Sequence, residues 1–361
     1  MFEKLKKILR NKNYKTILEN FFSLAALQLV GMILPLLTLP YVLRILGFDY
    51  YGKIVFATSL ITYFTSLTDF SFKYTATREV AIFRNSQKKL SLIYSKVLTI
   101  KFIFLFISIL IISSIVYSYQ PFYENRLLYF LTIPMLLGNV FFPDWFFQGI
   151  EKMKYITFLN IGIKLIFTVG VFIFINEKSD YWIYPLLQSS GFLFAGLISQ
   201  IILVKKFKLK FFFLKSRVIT RTIKENTPIF INQFLPTLYN NSSTFLLGLF
   251  TNNKLVGIYN SIKIIVNLCV TLIEIISRVF FPYLNRKKHA FLKYKKMMFY
   301  VSRFLTIVCI GSYKLVFWYL NVNDSNAFVI LLILALGIVG YSLYNIFGIN
   351  YFIINRQDKL V

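Results

Sequence analysis

Ten runs of about 18 or more mostly apolar residues punctuate the chain, and no other feature limits its folding so strongly. They lie at roughly 20–43, 54–72, 92–117, 127–150, 156–175, 182–204, 228–250, 257–284, 298–320 and 327–352. A helix rising about 1.5 Å per residue needs about 20 residues to cross ~30 Å of hydrocarbon, so each run suffices for one crossing. Over 361 residues, 57% hydrophobic content and 19% aromatic content exceed what a water-soluble core of that size can bury. The expected fold is an all-α polytopic membrane protein of about ten transmembrane helices. The first run is too long for a cleaved leader and has no small-residue cleavage site, which makes it an uncleaved span.

The cations set the orientation. Net charge is +27, from 41 Lys and Arg against 14 Asp and Glu. Such an excess in a soluble chain would suggest nucleic acid, but here the charges fall between the apolar runs. One alternate set of linkers (the N-terminus, 73–91, 151–155, 205–226, 285–297 and the tail) carries 29 Lys or Arg. The other set carries five: Arg44, Lys53, Arg126, Lys178 and Lys254. By the positive-inside rule the first set, with the N-terminus, faces the cytoplasm. No external linker exceeds about 12 residues, too few for a folded domain.

An internal repeat follows from two similar openings. Glu19-Asn20 precedes the first run and Glu225-Asn226 the seventh, an offset near 206, with comparable loops reaching Gly52 and Gly257. Parallel repeats of this kind suit transporters that rock two halves about a central site. The expected organisation is an N-terminal six-helix lobe over 1–204, a basic cytoplasmic linker over 205–227 and a C-terminal lobe over 228–361. The offset maps Val361 onto about residue 155, so the second lobe, with four helices, is expected to lack two and to be truncated.

The stretch Pro143-Asp144-Trp145-Phe146-Phe147-Gln148-Gly149 places a proline and a carboxylate at the end of an apolar run. Proline frees a carbonyl and Asp144 resists hydrocarbon, so both should face protein or water. Its aromatics serve as an interfacial belt, as packing or as sugar-stacking faces. Seven cations lie inside runs: Lys96, Lys101, Lys164, Lys263, Arg278, Arg303 and Lys314, together with Asp144 and Glu274. Each costs about 2.5–3.5 kcal/mol at mid-membrane, which favours an interior cavity. Lys96 and Arg303 sit near run ends and are expected to snorkel to headgroups. For Lys101, Lys164, Lys263, Arg278 and Lys314 the sharper reading is a cationic lumen that attracts anions. Arg278 is four residues after Glu274 and can pair with it. Asn232, Gln233, Asn240 and Asn241, on a run broken by Pro228 and Pro236, either line a path or bridge helices.

Other chemistry finds no support. Gly47 to Lys53 has phosphate-loop spacing, but Ile54 stands where a hydroxyl is needed and no strand precedes it. His289 is the single histidine, and Cys269 and Cys309 lie in apolar runs, so no metal site or catalytic triad is expected.

Three stretches resemble the O-antigen and capsule repeat-unit flippases of the Wzx/RfbX type. They are Leu36 to Gly47, Tyr63 to Phe72 running into Ala76-Thr77-Arg78-Glu79-Val80-Ala81, and the 141–157 segment with Trp145-Phe146-Phe147-Gln148-Gly149 and Glu151. Asn240 to Leu249 and Val256 to Tyr259 also fit. The resemblance implies the polysaccharide branch of the MATE-like (MOP) exporter superfamily. It implies a transporter, not an enzyme, in the bacterial inner membrane, moving an undecaprenyl-pyrophosphate-linked oligosaccharide by alternating access. No cofactor is implied. A proton or sodium gradient would drive it, with Asp69, Asp144 and Glu274 as coupling or gating candidates, and a polysaccharide polymerase and chain-length regulator would be partners. The alternatives are an exporter of another substrate, which internal lysines disfavour if it is cationic, and a non-transporting remnant. A glycan-joining enzyme would need a large external loop.

Overall fold

The computed structural model describes residues 12–354, which are helical almost throughout with no strand among them. Helix α1 (Lys12–Asp69) runs for 58 residues, about 87 Å if straight and far beyond one crossing. It breaks at Gly47, where φ 77 and ψ 171 leave the helical region at a residue without a Cβ. The runs expected at 20–43 and 54–72 are therefore its two arms. After α2 (Phe72–Phe83), α3 (Gln87–Ser118) and the short α4 (Gln120–Glu124), α5 (Arg126–Phe141) ends just before Pro143. The proline separates α5 from α6 (Asp144–Gly149), as its missing N–H dictates. Next come α7 (Met153–Phe174), a 3-10 turn (Lys178–Trp182), α8 (Ile183–Lys205) and α9 (Ser216–Phe250). The chain then forms α10 (Asn253–Arg286), α11 (Phe291–Gly311), α12 (Tyr313–Leu320) and α13 (Ala327–Leu343), which continues as a π-helix over Tyr344–Ile353.

Among the described residues, seven helices are long and apolar enough to cross a membrane, or eight if α11 and α12, bent by 58°, form one span. The reading of about ten counts both arms of α1, which this tally takes as one. It also counts α9, whose Asn232, Gln233, Asn240 and Asn241 dilute its apolarity.

Contacts divide the chain into two compact units, Met1–Asn253 and Lys254–Val361. Helix α9 thus packs within the first unit, chiefly on α1. The contacts therefore part at Asn253/Lys254, whereas the lobes expected from the sequence part at 205–227. The most extensive packing in the first unit joins α5 and α8. A Cβ on Gly138 would lie 2.5 Å from the Phe192 carbonyl oxygen, and one on Gly196 would lie 2.6 Å from the Gly138 carbonyl oxygen. Only hydrogen fits at these positions, so the backbones touch. Trp145, Phe146 and Phe147 of α6 are buried in an aromatic core with Tyr155 and Phe207. Of the roles open to these aromatics, packing is what the geometry shows.

In the second unit α11 packs on α13, with the Thr306 hydroxyl donating to the Ala335 carbonyl at 3.3 Å. Buried Asn350, on the π-helix, donates to Ser277 Oγ of α10 at 2.7 Å and Tyr294 Oη of α11 at 2.9 Å, tying three helices together.

Candidate functional site

Two polar constellations stand inside the first unit. In one, the Lys101 side chain on α3 reaches the end of the second arm of α1. Its Nζ lies 2.9 Å from Asp69 Oδ1 and donates to the Asn139 carbonyl of α5 at 3.1 Å. Lys101 is 1% exposed, whereas the Asp69 side chain is 39% exposed. Asp144, heading α6, stands within electrostatic reach of Asp69, Lys101 and Lys73, and its Oδ1 accepts from the Trp145 backbone N–H at 2.8 Å. One buried ammonium therefore serves two carboxylates, and solvent-exposed Lys73 supplies a second cation. The Asn139 Nδ2 beside it is buried with no hydrogen-bond partner among the described residues. The cluster supplies charge compensation where four elements meet, because a buried charge left unpaired is far costlier than the pair.

The second constellation is a cavity of about 200 Å³ between α1, α7 and α8. Asn160, Lys164 and Thr168 enter it from α7 at spacings of four, and Tyr184, Gln188 and Phe192 from α8 at the same spacing. Leu34, Pro35 and Thr38 of α1 complete the wall. The Lys164 ammonium tip occupies a notch over Gly31, where a Cβ would lie 2.7 Å from Nζ. Gly31 is four residues before Pro35, the position whose carbonyl a helix proline leaves without its usual partner. Among the described residues Lys164 has no hydrogen-bond or ion-pair partner. The Thr168 Oγ1 on the same wall is buried and unpartnered. The cavity thus holds one cation in mainly apolar surroundings, where an anionic partner would offset its desolvation.

The remaining predicted residues divide between the units. In the first, Asn240 is exposed on α9, and Asn241 donates its amide to the Thr237 carbonyl at 3.0 Å. Gln148 is half-buried at the end of α6, and Gly149 packs closely against Val80 of α2. In the second, Arg278 and Glu274 form the expected i,i+4 pair, Lys263 lies over the Tyr259 ring at 5.6 Å, and Lys314 is exposed. Lys96, expected to snorkel, instead meets Glu79 of α2 at 2.7 Å. Sequence reasoning missed Gly31, Asn160, Thr168, Tyr184 and Gln188. The signal for α7 was available in the four-residue recurrence of Asn160, Lys164 and Thr168 within an otherwise apolar helix.

Comparison with known proteins bears on the chain as a whole. Residues 17–288 match the family described as polysaccharide biosynthesis protein. A protein of Escherichia coli K12 named "Putative O-antigen transporter" is 29% identical over 359 residues, covering 97% of this chain and 86% of that protein. A Shigella dysenteriae protein of the same name is 25% identical over 298 residues, covering 81% and 74%. No solved structure matches the chain.

Proposed function

The chain belongs to the polysaccharide biosynthesis protein family, and from that premise we propose that it moves an undecaprenyl-pyrophosphate-linked oligosaccharide across the bacterial inner membrane by alternating access. The product would be an O-antigen or capsule repeat unit. Support comes from the names of the two relatives and from apolar helices long enough to span a bilayer. The observation that carries the substrate class is Lys164, a cation with no ion-pair partner among the described residues, in a mainly apolar cavity. Leaving a charge so exposed to desolvation makes physical sense where a phosphate or an acidic sugar supplies the missing partner. In this reading Lys263, Arg278 and Lys314 are further cations for anionic groups of the substrate, and Asn240 and Asn241 contact sugar hydroxyls. Asp69, Asp144 and Glu274 are the places where a proton or sodium ion would act. The polymerase and chain-length regulator that finish the glycan are the expected partners.

The test is complementation in cells that lack their own repeat-unit transporter and display no surface glycan. Lys164→Ala is expected to abolish surface glycan while protein abundance in the membrane stays at the parent level. Gly31→Ala fills the notch against the flexible end of Lys164, so it should displace the ammonium without straining the helix and lower export in the same way. Normal surface glycan with Lys164→Ala would refute the proposed site.

A further inference from the structure

The stretch from the end of α8 into α9 carries more cations than any other linker of the sequence and lies apart from both constellations. Residues 205–224 hold eight Lys or Arg, no Asp or Glu, and four phenylalanines. Residues 208–215 are non-helical, and three α3 side chains spaced by four fasten their backbone. Gln87 Nε2 donates to the carbonyls of Phe207 at 2.6 Å and Lys208 at 2.9 Å. The Lys210 N–H donates to Ser91 Oγ at 3.1 Å, and the Phe212 N–H to Ser95 Oγ at 2.8 Å. A polar stripe on a helix thus does what a neighbouring strand would do for an extended backbone. Side chains of such a segment alternate in direction. Phe207 packs on Phe146 and Leu209 is buried, while Phe211 meets the Tyr94 ring edge-on and is itself 44% exposed. Lys208, Lys210 and Phe212 are exposed, and Phe213, in contact with the Phe211 ring, is 96% exposed.

We propose that this fastened segment is a docking surface for anionic phospholipid headgroups, with Phe212 and Phe213 seated at the acyl boundary and Lys208, Lys210 and Lys215 on the phosphates. Helix α8 is apolar enough to span the bilayer and ends at Lys205, so the segment begins where hydrocarbon gives way to headgroups. Charge of one sign only, beside a span, is attracted to an anionic leaflet, and aromatic rings partition into its interface. The backbone is already fixed, so docking orders little that was free. An acidic soluble partner would offer the charge, but the continuity with the end of a span favours lipid.

The experiment uses the full chain in nanodiscs of phosphatidylcholine with and without one quarter phosphatidylglycerol. Phe213→Trp is read as a difference from the parent, since Trp145, Trp182 and Trp318 are present in both. With phosphatidylglycerol, the added emission should be blue-shifted and quenched by lipid carrying a nitroxide near the headgroup. Retention of phosphatidylglycerol through delipidation, followed by native mass spectrometry, should fall about fivefold for each of Lys208→Gln, Lys210→Gln and Lys215→Gln. An added indole that emits as in water in both nanodiscs, and is quenched by iodide, would overturn the proposal and point to a soluble partner. Equal quenching in both, with unchanged retention in the Gln variants, would overturn the anionic preference. Retention is read on the unaltered Phe213 background, so poor folding of the Trp variant does not shelter the idea.

Discussion

Lys101 and Lys164 are both lysines in apolar helices, yet their surroundings are opposite. Lys101 has two carboxylates around it, and Lys164 has none among the described residues. If Lys101 is there to compensate charge, removing it should harm stability more than removing Asp69. Lys101→Met leaves Asp69 and Asp144 facing each other, and breaking a buried pair in this manner costs about 3 kcal/mol. Asp69→Asn leaves Lys101 with Asp144, and Asp69 is partly solvated already, so about 1 kcal/mol or less is expected. The double variant should recover part of the loss of Lys101→Met. Thermal melting of the detergent-solubilised protein measures all three, and equal, additive losses would remove the compensation argument. The sequence marked both lysines as residues that must face the interior, but it did not say what they would meet there. The Glu274–Arg278 pair was legible because both residues sit on one helix four apart. Asp69 and Lys101 meet across 32 positions, and no spacing rule links them.

Among the elements, those set by uninterrupted apolar runs were legible nearly to their ends: α3, α7 and α8 begin and end within about five residues of the expected runs. Proline at 143 announced the separation of α6. The 58° bend between α11 and α12 was not foreseen, although Gly311-Ser312 at the break is the kind of pair that kinks a helix. Nor was the π-helix foreseen, because its widened turns are held by Asn350 contacts made across helices. Helix crossings are the least legible feature, since small residues are frequent in membrane helices and only some mark a contact. Gly138 and Gly162 make this testable. At Gly138 a Cβ would meet the Phe192 backbone, whereas at Gly162 it would meet nothing within 4 Å. Gly138→Ala should therefore cost about 1–3 kcal/mol through forced separation of α5 and α8. Gly162→Ala should be neutral or gain up to about 1 kcal/mol from helix propensity. Melting temperatures that fell equally for both would show that the crossing is not limited by backbone contact.

For the whole molecule, side of the membrane is a property that no local contact encodes; it depends on how charge is distributed over many loops. The 29 cations of one linker set and the five of the other alternate at every crossing of the ten-span reading. The same alternation requires the two arms of α1 to be separate crossings and α9, for all its amides, to be another. If α9 lay along the surface instead, every linker after it would change sides, and the six cations of 285–297 would face outward against the positive-inside rule. Reporter fusions decide the matter: alkaline phosphatase joined within 205–215 and within 285–297 should be inactive, and joined within 176–181 and 251–254 it should be active. Activity within 285–297 but not within 205–215 would remove α9 from the spans. It would also leave the first unit with an odd partner for the repeat that Glu19-Asn20 and Glu225-Asn226 suggest. The first of these asparagines already has a definite task, its side chain bridging the Glu151 carbonyl and the Met153 N–H at 3.1 Å each. Asn226, by contrast, bonds within its own helix to Thr222. Corresponding positions therefore need not make corresponding contacts, and a two-lobed transporter would rest on matched crossings rather than matched side chains. That is why topology, rather than any single residue, is the measurement on which the alternating-access proposal most depends.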